Sequence, residues 1–459
     1  MDHALRKALG AGKADHIEIR LERRVSTSVH YVGRELEDIG TNTGVGGCVR
    51  ALVNGGWGFV SFNDASDLSR YVKMACEQAR TVGAGKPAAS GHLAPVQPAI
   101  DSVKPPTDSI EDPRGVPLEE KEALAAAYNK MILSSKNIQT STVSYRDYQV
   151  DETIANTDGQ FITQETVFCG LAVVAIARDG MNVQRAFESV GDLRGFGTVR
   201  GQEATCEDVA RRAVDLLSAT QVTGGKYTVL VDPKLCGVFV HEAFGHLSES
   251  DFLYENPDML KMMTLGKRFG GDELSIVDDP TIPNRAGTYK YDSEGTPGAK
   301  TYLIGNGILS GHLHSRETAA RMGEQPTGNA RAISYNFPPI VRMSNTYLEP
   351  RGMTFDELIA GIDNGIYAVG ALGGMTEMEM FTFSAGEAYA IRGGKIAEKL
   401  RDVVLTGNVK ETLANIDGIG NDLEFYGGLG GCGKGGQSPL RVSTGGPHVR
   451  IRNVVIGGR

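Results

Sequence analysis

No stretch of this sequence approaches the ~18 consecutive apolar residues of a membrane-spanning helix, so no membrane span is expected. The opening residues, Met1-Asp2-His3-Ala4-Leu5-Arg6-Lys7, begin an amphipathic segment with no long apolar core behind it, so no export signal is expected. Cysteine is sparse: six residues, at 48, 76, 169, 206, 236 and 432, with no CxxC pair. In a chain without an export signal this favours reduced thiols in the cytoplasm over a disulfide framework. Positive charge is also short. Lys and Arg number 47 against 56 Asp and Glu, a net charge of −9, which opposes general binding to nucleic acid or to an anionic membrane.

What is present is globular. The 459 residues are 41% hydrophobic and 22% charged, enough for sizeable cores and more than one domain. Glycine is plentiful, with 59 residues against a norm of ~7%. The glycines fall in turn-like pairs, which predicts many tight β connections.

Residues 16–24 alternate Ile17, Ile19 and Leu21 with Glu18, Arg20 and Glu22, the pattern of a strand with one wet face. Asn54-Gly55-Gly56 between two apolar runs is a hairpin signal, and a helix follows over 64–82. Residues 84–117 carry seven prolines and read as a linker or long surface excursion. A second block then repeats the plan, with a helix from about Leu118, strands, and a helix from about Thr205. Helix, strands, helix occurring twice reads as an internal duplication within an N-terminal α/β domain, 1–222. From residue 223 the style changes to β. Residues 223–459 read as a C-terminal domain rich in antiparallel β-structure, with one functional helix near its start, so the expected fold class is α+β.

That helix begins at Asp232-Pro233, an N-cap followed by a proline at the first helical position. It carries His-Glu-Ala-Phe-Gly-His at 241–246. Neutral imidazole is the commonest protein ligand for zinc, and a carboxylate beside the first histidine is placed to take a proton from a water that the metal activates. The spacing departs from His-Glu-x-x-His by one residue. Positions i and i+5 of an ideal helix lie about 140° apart, so His241 and His246 reach one ion only if the helix carries a one-residue π-bulge or loosens before His246. Gly245 makes loosening cheap. Otherwise these are two unrelated histidines near a helix end.

A catalytic zinc usually has three protein ligands and one open position. The run Gly427 to Ser438 contains Cys432, with little apolar packing nearby and Lys434 to favour a thiolate. Cys432 is a third ligand or a free cysteine in a flexible turn. As a phosphate loop the run lacks the Gly-Lys-Ser/Thr ending and the following helix.

With both pieces in hand, the chain resembles the TldD/PmbA family of cytosolic peptidases, and the TldD branch in particular. The resemblance rests on HEAFGH at 241–246, DSEGTPG at 292–298, PTGNARAISYNFPPIVRMSNTY at 326–347 and GGCGKGGQS at 430–438. It implies zinc held by His241, His246 and Cys432, with Glu242 as general base. It also implies an N-terminal α/β domain before an antiparallel β domain. The implied assembly is a dimer of two like chains or of this chain with a non-catalytic PmbA-like chain, and the implied substrates are unfolded or flexible peptides.

Other candidates are weaker. His312 and His314 alternate on a predicted strand and read as surface residues, with metal binding the lesser alternative. Asp292 and Glu294 read as a structural turn, with a place in the substrate cleft as the alternative. Tyr335 is a packed tyrosine or an oxyanion donor. Ser248-Glu249-Ser250-Asp251 is a solvated helix end or the source of an acceptor for an imidazole N–H. Two functions follow: a zinc peptidase, or a regulatory or chaperone-like partner subunit with a vestigial metal motif.

Overall fold

The computed structural model describes residues 3–85, 92–105, 111–377 and 379–457. Two parts of the proline-rich excursion, 86–91 and 106–110, lie outside the described residues. The chain begins with helix α1 (His3–Leu9), strands β1 (His16–Val32), β2 (Glu35–Val53) and β3 (Gly56–Phe62), and helix α2 (Leu68–Gly83). The hairpin between β2 and β3 turns at Asn54 and Gly55, both at positive φ (51° and 74°), as an Asn-Gly turn requires. A short strand β4 (Ile100–Val103) follows. The same order then recurs: α3 (Leu118–Ser134), β5 (Ile138–Asn156), β6 (Phe161–Asp179), β7 (Asn182–Asp192) and α4 (Glu203–Ser218).

The two blocks share one seven-stranded sheet in the order β3-β2-β1-β5-β6-β4, with β7 also paired to β6. β1 joins them, antiparallel to β2 on one side and to β5 on the other. Its odd-numbered face serves two cores. Ile17 and Ile19 pack with Val72 and Ala75 of α2, while Val29 packs with Tyr128 of α3 and Val209 of α4.

The even-numbered face, expected to be wet, is not. Glu18 and Arg20 are each 1% exposed because they meet the C-terminal half. Arg20 donates to the Ser334 and Phe337 carbonyls, Glu22 accepts from the Tyr335 N–H, and Arg50 pairs with both Glu18 and Glu294. Charge alternation thus marked a face sealed by ion pairs. Removing one member of such a buried pair costs about 3–5 kcal/mol, because its partner is left charged and unpaired.

The C-terminal half is built on two sheets. Strands Asn364–Glu377, Gly225–Val231, Val449–Gly457, Val404–Asn408 and Met380–Arg392 pair in that order, and the first pairs again with the fifth, closing a ring. Its pairings are antiparallel except that of 225–231 with 364–377. The second sheet has six strands and includes Asn345–Leu348 and Ser443–Gly446. Between the two lies helix α5 (Pro233–Val240). The Asp232 side chain caps it by accepting from the Leu235 N–H, an interaction worth ~1 kcal/mol. Phe239 meets Phe381 and Phe383 of the ring. On the other side Gly237 lies so close to the Gly445 backbone that a Cβ would come within 2.7 Å of the Gly445 nitrogen.

Candidate metal centre

Five residues decide how the two motif histidines meet. Residues 241–245 form a π-helical turn, closed by the His246 N–H donating to the His241 carbonyl. The wider turn brings position i+5 back over position i, which a regular helix does not. A 3-10 turn follows over His246–Ser248. Gly245 serves differently from the expectation. Its backbone is ordinary right-handed helix (φ −57°), so it does not loosen the turn. A Cβ there would lie 2.0 Å from Met343 Sδ, so glycine is needed to admit Met343.

Cys432 arrives from the other end of the chain, on the short strand Cys432–Lys434 that pairs with Gln437–Leu440. It is 4% exposed, and the glycines around it let backbone pack closely instead of leaving it in a flexible turn. The wholly buried Arg342 fixes this strand, donating to the carbonyls of Cys432 (2.6 Å) and Gln437 (3.2 Å). His241, His246 and Cys432 each offer one ligand atom, all within 4.8 Å of one another. Cys432 Sγ is 3.4 Å from His246 Nε2. Glu242 Oε2 is 3.6 Å from the same nitrogen, and its side chain remains 27% exposed. All four residues named from the sequence therefore stand together.

The electrostatics suit a cation. His241 Nδ1 is buried without a hydrogen-bond partner. Burial alone would raise the Cys432 thiol, but the His241 and His246 imidazoles outweigh it and hold the thiol down at about 5. Burial would lower His246, but Glu249 and Cys432 push it up to about 11. His241 is raised too, against its burial, mainly by Cys432. A thiolate between two imidazoles that favour positive charge is a donor set in which protons occupy the place a soft-to-borderline metal ion would take.

The stretch after His246 is not a solvated helix end. Glu249 is completely buried and accepts from His246 Nδ1 at 3.0 Å. Lys434 does not face the thiolate; its ammonium sits 3.1 Å from Glu249 and 2.6 Å from Asp251, and it donates to the Val341 carbonyl. Burial raises the Glu249 carboxyl, but Lys434 and His246 lower it below the ordinary range. A line Lys434–Glu249–His246 thus orients the ring so that Nε2 points at Cys432.

Asp292 accepts from the N–H groups of Glu294, Thr296 and Ala330, which closes the 292–298 turn. The Tyr335 hydroxyl approaches Asn63 of the N-terminal half at 3.4 Å. His312 and His314 are not on the surface: they are 2% and 1% exposed, because the helix Arg316–Met322 and Glu324 fold back over them. Sequence reasoning gave no role to Arg342 or Met343. Both fall inside the 326–347 stretch, which marked a motif but not what its side chains would touch.

Models of three domains match the chain in succession: PmbA/TldA metallopeptidase domain 1 over residues 17–79, the central domain over 111–219 and the C-terminal domain over 224–458. A metalloprotease from Synechocystis sp. is 45% identical over 447 residues, covering 97% of this chain and 95% of the relative. A zinc metalloprotease TldD homolog from Saccharolobus solfataricus is 32% identical, covering 70% of this chain and 72% of its own. The crystal structure of TldE from Thermococcus kodakarensis superposes with a TM-score of 0.77 at 17% identity, covering 99% of each chain; this is likeness of fold.

Proposed function

The chain belongs to the TldD/PmbA metallopeptidase family, and on that premise we propose that it is a zinc-dependent peptidase acting on unfolded or flexible peptides. The observation that carries the reading is the meeting of His241, His246 and Cys432, from segments far apart in sequence, with Glu242 beside them. These three would hold the ion through two imidazole nitrogens and one thiolate, a set that prefers zinc to magnesium or calcium. The bound ion supplies Lewis acidity, which polarises a carbonyl and acidifies water.

Glu242 is the general base. Its half-buried carboxylate takes a proton from the attacking water and hands it to the departing amine nitrogen, so the proton count closes without another group. Glu249 accepts the Nδ1 hydrogen of His246, which fixes the tautomer and leaves Nε2 free to ligate. Arg342 holds the Cys432 backbone so that the sulfur keeps its place. The presence of all four groups supports a working centre over a vestigial motif in a regulatory or chaperone-like subunit. The enzyme works in the cytoplasm as a dimer, with a second copy or with a PmbA-like chain, and the dimer shields the site from folded proteins. Peptides bind in extended form along a strand edge.

Protein purified from unsupplemented cells should carry zinc and cleave casein, and a chelator should abolish cleavage. Metal should protect Cys432 from alkylation, and chelation should expose it. Cleavage by metal-free protein, or equal alkylation with and without metal, would overturn the reading.

A further inference from the structure

A second set of metal-ligating side chains converges outside this centre. His312, His314 and Glu324 each offer one atom, all within 4.8 Å of one another. The two histidines alternate on extended chain, which puts both imidazoles on one side. The helix Arg316–Met322 then ends at Gly323 in the left-handed conformation (φ 70°), and this reversal returns Glu324 to the rings.

The hydrogen positions carry the inference. His312 Nε2 lies 2.8 Å from the Met263 carbonyl oxygen. A carbonyl only accepts, so Nε2 bears the hydrogen. Nδ1 of the neutral ring is then a bare lone pair, and it faces the Glu324 carboxylate at 2.9 and 3.2 Å. His314 repeats the arrangement with its nitrogens exchanged. Its Nδ1 is 3.1 Å from Thr318 Oγ1. The Thr318 hydroxyl sends its own hydrogen to the Ser315 carbonyl, which leaves its oxygen able to accept from the ring. In the tautomer with its hydrogen on Nδ1, His314 donates it to Thr318 Oγ1. Nε2 of His314 is left as a lone pair, 3.1 Å from Glu324.

Two imidazole nitrogens and a carboxylate thus converge where the histidines are 2% and 1% exposed, and a positive charge among them makes the contact favourable. One divalent ion placed between the three atoms supplies that charge. The outer bonds to Met263 and Thr318 are the kind that ligating histidines make with their second nitrogen. The spacings of 2.9–3.2 Å lie near the about 3.3 Å edge of a tetrahedron with zinc–nitrogen bonds of ~2.05 Å.

We propose that His312, His314 and Glu324 bind a second divalent transition-metal ion, of the class of zinc, whose role is to clamp the 312–324 segment. Imidazole and carboxylate suit such an ion without the sulfur of the first centre. Glu324 keeps 20% of its side chain exposed and gives the ion a way in. No carboxylate comparable to Glu242 stands free beside this trio among the described contacts, so its role is structural.

Chelator-stripped full-length protein titrated with zinc, then desalted and counted by elemental mass spectrometry, tests this. Wild type should retain about two equivalents, and both the His241→Ala/Cys432→Ala double variant and Glu324→Gln about one each. Cobalt should give a thiolate charge-transfer band in Glu324→Gln and none in the double variant. Zinc should also raise the Tm of the double variant, because an ion that binds only the folded state stabilises it. Failure of the peptidase reading would show instead in Cys432 alkylation, which leaves the double variant's count untouched. A double variant that binds no zinc and gains no Tm, or a Glu324→Gln protein that retains both equivalents, would overturn the second site.

Discussion

Among the described residues stand two trios of ligand-type side chains, and each contains two buried or half-buried histidines. They differ in almost everything else. The first pair is five residues apart and needs a π turn to meet; the second is two residues apart and meets on ordinary extended chain. The first adds a thiol held down by imidazoles, the second a carboxylate 2.9–3.1 Å from a nitrogen of each ring. Beside the first stands Glu242, 27% exposed and 3.6 Å from His246 Nε2. The outer nitrogens of the second meet a carbonyl and a hydroxyl, and among the described contacts no free carboxylate stands beside it. Histidine content alone therefore does not mark a reaction centre. The unusual backbone and a carboxylate left open to solvent are what set the first trio apart.

The largest effect should come from removing that carboxylate. Glu242→Gln keeps shape and hydrogen-bonding capacity, so metal content at both trios should be unchanged while casein cleavage falls ~10²-fold or more. Near-normal turnover would erase the chief distinction drawn here. Next comes Glu249→Gln, which weakens the acceptor that orients His246. Zinc affinity at the Cys432 centre should drop ~10–100-fold in competition with a chelator, and affinity at the His312 trio should hold. Equal weakening at both would point to damaged folding and not to a misdirected ring.

Much of this centre was legible because its chemistry is written in contiguous motifs. The cap Asp232-Pro233 started the helix where expected, and the i,i+5 spacing of His241 and His246 required a π turn or a break. What was not legible depends on contacts between distant segments. Gly245 read as a hinge, yet its role is to leave room for Met343 about a hundred residues on. Glu18, Arg20 and Glu22 read as a wet face because alternation reports polarity, and polarity does not distinguish water from a partner of opposite charge. His312 and His314 read as surface for the same reason. Nothing local announces that Glu324 folds back on them. The repeated helix–strands–helix plan was visible, but not that both copies share one sheet through β1.

The smallest effect concerns whether the two trios act as one unit. Ser250 is the physical link. It is completely buried, it follows Glu249 directly, and its hydroxyl joins the Leu313 carbonyl to Thr318 Oγ1. Leu313 lies between the two histidines of the second trio, and Thr318 Oγ1 is 3.1 Å from Nδ1 of one of them. Glu249 meanwhile holds His246 of the first. Ser250→Ala removes one buried hydrogen bond and leaves Thr318 able to donate to the Ser315 carbonyl, so urea unfolding should show a loss of ~1 kcal/mol. Zinc affinity at each trio should change by no more than about three-fold, because Glu249 and Thr318 retain their own contacts to the rings. A ten-fold or greater loss at the Cys432 centre would correspond to ~1.4 kcal/mol of coupling through this one hydroxyl. The two trios then form one cooperative unit if filling the second tightens the first and filling the first tightens the second by an equal factor.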